Sequence, residues 1–249
     1  MQDSQAEVGQ PSSIETSQPN NNVELVKALF KEGVPTFDSA GRIGLHGTSI
    51  ENFVSMVRSG TITPDLDKIK SQGEAHDDRF YITPHRDTIQ GTPLFDEIKD
   101  MSFNTVFQAA ADYSTITAFY SYMQKTVPGV LDNDWYTHFV LSPKVPEGRM
   151  MLPATPEGKF TYEKMLAKGK ELGIDQATLE QTIQRALQRR GIVLAVNLDA
   201  AKQYPLHMGE RVPGKEIYIQ GQSLPFKQLV MGAEPMLSID KEEILEGVK

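Results

Sequence analysis

Short apolar segments between longer stretches of helical periodicity are the feature of this chain that most constrains its fold. The short segments are rich in β-branched and aromatic residues and predict strands at 43–45, 80–83, 136–141, 192–196, 216–219 and 228–230. Apolar residues at helical spacing predict helices at 23–31, 50–57, 107–123 and, as a pair, within 160–190. Short strands interrupted by helices predict an α+β fold.

The segment after the triplet His46-Gly47-Thr48 is the clearest predicted helix. Thr48 and Glu51 fit the capping-box spacing, in which a hydroxyl and a carboxylate three residues later satisfy the first free backbone N–H groups. Gly60 follows the last apolar residue of the stripe and predicts the end of the helix. The triplet is therefore expected between the end of a strand and the start of a helix.

Charge and composition exclude several classes of function. The 249 residues contain no cysteine, which excludes disulfides, cysteine-ligated metals and a cysteine nucleophile, and leaves the redox compartment open. The five histidines are scattered, so no metal site is predicted. A formal net charge of −8 opposes binding to a phosphate backbone, so no nucleic-acid partner is expected. No apolar run approaches the roughly 18 residues of a membrane span, so no membrane partner is expected either.

The two ends of the chain differ in composition from the rest. Residues 1–22 are dominated by Gln, Ser, Asn and acidic residues and predict a disordered leader, because they offer little apolar surface to bury. The leader lacks the apolar segment of a Sec signal peptide. Residues 241–249 predict a charged tail. A single domain is expected over residues 23–240.

Four positions carry side chains suited to chemistry, although each also has a purely structural interpretation. His46 beside Gly47 offers a hydrogen-bonding ring where a ligand can approach the backbone closely, but a lone histidine is more often structural. Tyr81 and Tyr113 could hold a flat heteroaromatic ring between them, or could be core aromatics. Glu216 opens a predicted strand, where a carboxylate is usually solvated.

Taken in order, the motifs resemble those of the ADP-ribosyltransferase catalytic domain. They are the His-Gly-Thr segment at 45–49, the Tyr-containing strand at 80–84, the Ala-rich turn with Tyr at 109–114, and the Glu-containing strand and hairpin at 214–219 and 225–230. The set is most similar to the H-Y-E branch, which diphtheria-type toxins share with poly(ADP-ribose) polymerases. The resemblance covers roughly residues 40–235, with insertions at 84–106 and 144–190.

This resemblance implies a split β-sandwich with helical insertions, and NAD bound as co-substrate in a cleft between two small sheets. His46 would hold the adenosine-side ribose, and the backbone of Gly47 would hold the nicotinamide carboxamide. Thr48 would add a hydroxyl nearby. Tyr81 and Tyr113 would stack on the nicotinamide ring.

The same resemblance makes Glu216 the catalytic residue. Cleavage of the bond between nicotinamide and ribose develops an oxocarbenium ion, as in glycoside hydrolysis. A carboxylate near the 2′-hydroxyl stabilises that cation and orients the sugar. Nicotinamide leaves as a neutral molecule, so the reaction requires neither a strong general acid nor a metal.

Two positions depart from the patterns of the superfamily. Ala110 stands where the polymerase branch has a serine three residues before the second tyrosine. The R-S-E branch is echoed in part by Arg42 and residues 114–116, but Gly214 stands where that branch has the Glu or Gln that orients an arginine or asparagine acceptor. The sequence therefore disfavours arginine as the acceptor side chain.

The leading hypothesis is a mono-ADP-ribosyltransferase that modifies a protein. The polar leader is similar to those of type III secreted bacterial effectors, which predicts a secreted effector or toxin acting in the host cytoplasm. Ubiquitin and host GTPases are candidate targets by analogy with effectors of this superfamily. The alternative is a catalytically inactive ADP-ribosyltransferase-like module that binds a protein. A tRNA 2′-phosphotransferase shares the superfamily, but its basic cleft conflicts with the net charge.

Overall fold

The computed structural model describes residues 19–35, 42–63, 79–84, 103–131, 156–208, 217–220 and 223–249. The helices in these ranges are α1 (Pro19–Glu32), α2 (Ile50–Ser59), α3 (Phe103–Thr126), α4 (Pro156–Glu171), α5 (Gln176–Gln188), α6 (Leu198–Ala201), α7 (Phe226–Leu229) and α8 (Asp240–Gly247). The strands are β1 (Ile43–Thr48), β2 (Thr61–Ile62), β3 (Arg79–Pro84), β4 (Ile192–Asn197), β5 (Leu206–Met208), β6 (Ile217–Gln220), β7 (Leu224–Pro225) and β8 (Val230–Pro235). This mixture of helices and antiparallel strands confirms the predicted α+β class.

Six of the strands form one antiparallel sheet in the order β5-β6-β3-β1-β4-β8, while β2 and β7 pair separately. β1 pairs with β4 along its whole length, from Ile43 opposite Asn197 to Thr48 opposite Ile192. β4 is buried on both faces, which agrees with its unbroken apolar sequence. The strand that carries the His-Gly-Thr triplet is therefore fixed by the most buried strand of the sheet.

The sheet is covered by helices on both faces, and each face has its own apolar core. On one face, here called the α2 face, Ile82 packs in the main core with Phe53 of α2. On the other, here called the α3 face, Leu45 and Ala195 pack with Ala110 of α3. Because successive residues of a strand point to opposite faces, neighbours in sequence on β1 and β3 belong to different cores.

A third apolar cluster joins the C-terminal half of α3 to α4 and α5. Its fully buried side chains include Phe119, Met123, Met165, Leu179 and Ile183. The helix pair predicted within 160–190 is confirmed, with Asp175 as the N-cap of α5. No helix within the described residues is long and apolar enough to cross a membrane.

Helix α2 begins one residue later than the capping-box spacing predicts. Its N-cap is Ser49, whose Oγ accepts a hydrogen bond from the backbone N–H of Asn52 at 3.2 Å. Thr48 stays in β1 because it pairs with β4, so the next hydroxyl takes the cap and the predicted pairing of Thr48 with Glu51 is wrong. The predicted end at Gly60 is confirmed by a left-handed φ of 70°.

The bounds of two further predicted elements need correction. The strand predicted at 228–230 is displaced, because residues 226–229 form α7 and the last strand, β8, begins at Val230. Phe226 and Leu229 are both buried at a spacing of three, which suits a helical turn rather than an alternating strand. The helix predicted at 107–123 is longer than expected and begins at Phe103.

The segment predicted as a charged tail at 241–249 is instead helix α8, docked on the main core. Ile244 and Val248 are fully buried, and their four-residue spacing forms the apolar stripe that the surrounding charges obscure in the sequence. Arg189 links this helix to α2, since its guanidinium contacts Glu243 at 3.1 Å and Glu51 at 3.4 Å. The chain therefore still packs on the main core after residue 240.

The last four residues of the predicted leader belong to a helix. Helix α1 begins at Pro19, so its first turn falls within residues 1–22, and Asn22 is buried. Proline is favoured in the first turn of a helix because its missing N–H has no intrahelical partner there. Residues 1–18 and the strand predicted at 136–141 lie outside the described residues.

Candidate functional site

The candidate site is a fork in the sheet where β1 and β3 stop pairing. The two strands pair at Gly44 opposite Pro84 and at Leu45 opposite Thr83. Beyond these pairs, β3 continues along β6, from Ile82 to Arg79, while β1 continues along β4. The segments His46–Thr48 and Arg79–Tyr81 border this fork, where β1 and β3 no longer pair with each other.

His46 bridges the fork with its side chain. Its Nδ1 lies 2.7 Å from the carbonyl oxygen of Tyr81, and because a carbonyl only accepts, Nδ1 carries the proton and donates it. The ring packs on Phe80 with 4.5 Å between centroids. Enclosure by protein lowers the pKa of His46 from 6.5 to about 4, against the opposing effect of the Tyr81 hydrogen bond. At neutral pH the imidazole is therefore uncharged, and its Nε2 is a hydrogen-bond acceptor.

The lowered pKa of His46 predicts that acid destabilises the wild-type protein more than a His46→Asn variant. The unfolded chain takes up a proton on this histidine near pH 6.5, whereas the folded protein takes it up only near pH 4. Stability is therefore unaffected by this group above pH 6.5 and falls as the pH drops from 6.5 towards 4. Asparagine keeps an N–H donor near the position of Nδ1 but does not titrate.

Urea unfolding at pH 7, 6, 5 and 4 measures the effect. The free energy of unfolding of the wild type, minus that of His46→Asn, should decrease steadily over this range. A difference independent of pH would mean that the folded protein protonates His46 as readily as the unfolded chain does.

Gly47 permits the close approach of helix α3 to the sheet. A Cβ atom at this position would lie 1.9 Å from the carbonyl oxygen of Ala110 and 2.8 Å from the backbone nitrogen of Ser114. Neither contact is possible for any other residue unless the helix moves. The α3 backbone therefore occupies the space above Gly47 where a ligand was expected to approach.

Tyr113 lies on α3 where the helix crosses Gly47. It directly precedes Ser114, whose backbone contacts the Cβ position of Gly47, and 37% of Tyr113 is exposed. Tyr113 therefore belongs to the part of α3 that crosses β1, and it is partly exposed. Ala110, at the position where the resemblance predicts a serine, is buried against β1 by the same crossing.

Tyr81 belongs to a group of stacked side chains that the sequence analysis did not identify. Tyr81 lies opposite Tyr218 on β6, with 5.5 Å between ring centroids, and His207 on β5 stacks on Tyr218 at 5.2 Å. The guanidinium of Arg79 lies 4.3 Å from the centre of the Tyr218 ring, and its Nη1 lies 3.5 Å from the hydroxyl of Tyr81. We call these four residues the Tyr218 stack.

Register explains both the stack and why it was missed. Tyr81, Tyr218 and His207 are cross-strand neighbours on three adjacent strands, so their side chains share a face. Tyr81 and Tyr218 lie in two separate predicted strands, and no element is predicted around His207. Only the pairing of β3, β6 and β5 brings the three residues together. The alternation of Tyr218 with two isoleucines was the one available signal.

Tyr81 and His46 lie on opposite faces of the sheet. Leu45 pairs with Thr83, which places Tyr81 on the α3 face with Gly47 and the crossing of α3. His46 points to the α2 face, where it meets Phe80.

The remaining predicted residues are Thr48 and Glu216. Thr48 is 2% exposed and its Oγ1 accepts a hydrogen bond from Asn52 Nδ2 at 3.4 Å, so its hydroxyl already has a partner within the protein. Glu216 lies outside the described residues. In the sequence it directly precedes Ile217, which pairs with Ile82, the residue after Tyr81.

Within the described residues, no group of three or more His, Cys, Asp or Glu side chains is arranged to hold a metal ion. Comparisons with known proteins add no assignment: no protein-family model, no curated protein and no solved structure matches this chain.

Proposed function

We propose that this protein is a mono-ADP-ribosyltransferase of the H-Y-E type, with an ADP-ribosyltransferase-like split β-sandwich. It would transfer ADP-ribose from NAD to a protein side chain and release nicotinamide. The observation that carries the proposal is the hydrogen bond from His46 to the backbone of Tyr81 across the fork. It brings together two motif residues that are 35 positions apart in the sequence.

The geometry of the fork supports the assigned roles of the two faces. The neutral His46 ring, with Nδ1 committed to Tyr81, offers Nε2 as an acceptor for a ribose hydroxyl on the α2 face. Tyr81 and the exposed part of Tyr113 offer rings on the α3 face for the nicotinamide. An extended dinucleotide that passes through the fork reaches both.

Glu216 would supply the negative charge that the reaction needs. The bond between the anomeric carbon and the nicotinamide nitrogen breaks, its electron pair leaves with nicotinamide, and the sugar becomes cationic. A carboxylate that hydrogen-bonds the 2′-hydroxyl stabilises this cation, and the acceptor side chain then forms the new bond and loses its proton. Arginine is disfavoured as the acceptor side chain, because Gly214 stands where the R-S-E branch has the residue that orients one.

The test is transfer from NAD labelled in its adenosine half. Wild-type protein incubated with the label and a eukaryotic-cell lysate should release nicotinamide and label a protein, whose modified residue is mapped by mass spectrometry. Tyr81→Ala should lose most of both signals, whereas Tyr204→Ala, in the turn after α6, should retain them. Nicotinamide release or labelling equal to that of a protein-free sample would contradict the proposal.

Binding of NAD without nicotinamide release would support the alternative, an inactive module that binds a protein. The proposed setting is a secreted bacterial effector acting on a host protein in the host cytoplasm. Ubiquitin and host GTPases are the first targets to test with purified proteins.

A further inference from the structure

The geometry points to Arg79 as the residue that holds the diphosphate of the dinucleotide. This inference rests on the proposed function and adds a binding residue that the motifs do not include. It starts from the Tyr218 stack, which places an arginine beside the tyrosine assigned to the nicotinamide ring.

The charge distribution around the fork singles out Arg79. It is the one arginine or lysine among the described residues of β1, β3, β5, β6 and of α3 up to Thr115. A dinucleotide carries negative charge on both of its phosphates, and the chain as a whole carries a formal net charge of −8. An acidic protein that binds such an anion needs a local cation near the phosphates, because the long-range field of the protein repels it.

The position of Arg79 matches that requirement. The guanidinium lies 3.5 Å from the Tyr81 hydroxyl. The Tyr81 side chain lies on the α3 face of the sheet, whereas the His46 side chain crosses the fork on the α2 face. In NAD the diphosphate lies between the two riboses, one sugar away from the nicotinamide. A nicotinamide on Tyr81 therefore places the diphosphate about one ribose away from the ring whose hydroxyl Arg79 contacts.

Arg79 is also held in place before any ligand arrives. The Tyr218 ring lies under the guanidinium at 4.3 Å, and His207 supports that ring from β5. A guanidinium fixed by a cation–π contact loses little conformational freedom when it binds a ligand. Its planar group can donate two parallel hydrogen bonds to two phosphate oxygens. The residue remains partly exposed, so it can reach a ligand.

The test compares binding of ADP-ribose, which contains the diphosphate, with binding of nicotinamide, which does not. Isothermal titration should show that Arg79→Gln weakens ADP-ribose binding by about 10- to 100-fold, the usual value of a charge-assisted contact. Arg79→Lys should weaken ADP-ribose binding less, because lysine keeps the positive charge but lacks the planar guanidinium. Nicotinamide affinity should change by less than about twofold in both variants.

Arg185→Gln is the matched control. Arg185 is an exposed residue in the last turn of α5, and it has no assigned role. This variant should bind ADP-ribose like the wild type. Added salt should weaken wild-type binding of ADP-ribose and should weaken that of Arg79→Gln less.

The possible results separate this inference from the proposed function. Wild-type binding of both ligands with unchanged ADP-ribose affinity in Arg79→Gln would overturn the role of Arg79 alone. An equal loss for both ligands would also overturn it, because Arg79 would then act only by supporting Tyr81. Wild-type protein that binds neither ligand would refute the proposed function and this inference together.

Discussion

Glu216→Gln should lower the rate of ADP-ribose transfer by about 10²- to 10³-fold while leaving the fold and most of the NAD affinity intact. The amide keeps the shape of the side chain and one acceptor oxygen, but it removes the charge that stabilises the oxocarbenium ion. A contact made mainly in the transition state affects kcat more than ground-state binding. Transfer of labelled ADP-ribose measures the rate, and thermal unfolding run in parallel checks the fold.

Glu234→Gln is the control for this experiment. Glu234 is an exposed residue of β8 that lies opposite Val193, and it has no assigned role. Its variant should transfer at the wild-type rate. Full activity of Glu216→Gln would contradict the proposed mechanism and would favour the alternative, an inactive module that binds a protein.

Gly47→Ala should be the most destabilising single-methyl change on β1. The new Cβ would lie 1.9 Å from a backbone oxygen of α3, and a backbone atom cannot move away by changing rotamer. Overpacking commonly costs about 1–3 kcal/mol, and we expect about 3 kcal/mol here because the whole helix has to shift. For a chain of this size that lowers the melting temperature by about 6–12 °C, measured by circular dichroism.

Gly44→Ala, on the same strand, is the matched control. Its Cβ would lie 2.3 Å from Cγ2 of Ile82, which belongs to a side chain that can repack. We expect roughly half the loss of Gly47→Ala. A melting temperature for Gly47→Ala within about 2 °C of the wild type would contradict the close crossing of α3 over β1.

Local signals in the sequence predicted the elements in which the apolar pattern and the capping residues indicate the same structure. The apolar stripe of α2 and its terminal glycine, the N-cap of α5, and the continuous apolar strand β4 are all found where expected. Helix α8 at the C-terminus was not predicted, because its charged residues obscure its apolar ones. Ile244 and Val248 are a minority among acidic and basic residues, and only their burial against the main core reveals them as a stripe.

The sequence predicted individual residues of the candidate site from short motifs, but not which of these residues lie close together. The proximity of His46 and Tyr81 depends on the pairing of β1 with β3, which no local pattern specifies. The Tyr218 stack depends in addition on β5 and β6 joining the same sheet. Arg79 is an ordinary charge at a strand end in the sequence, and its contact with the Tyr218 ring depends on the pairing of β3 with β6.

The pairing of β1 with β4 has a consequence for how the chain folds. Leu45 meets Ala195 across the ladder, about 150 positions further along the chain, so a large loop has to close before this ladder can form. Chains dominated by such distant contacts fold slowly, in milliseconds to seconds for small domains. Helices α4 and α5, whose contacts with each other are local, can form earlier. The fork that carries His46 is therefore assembled late, after the distant halves of the sheet have met.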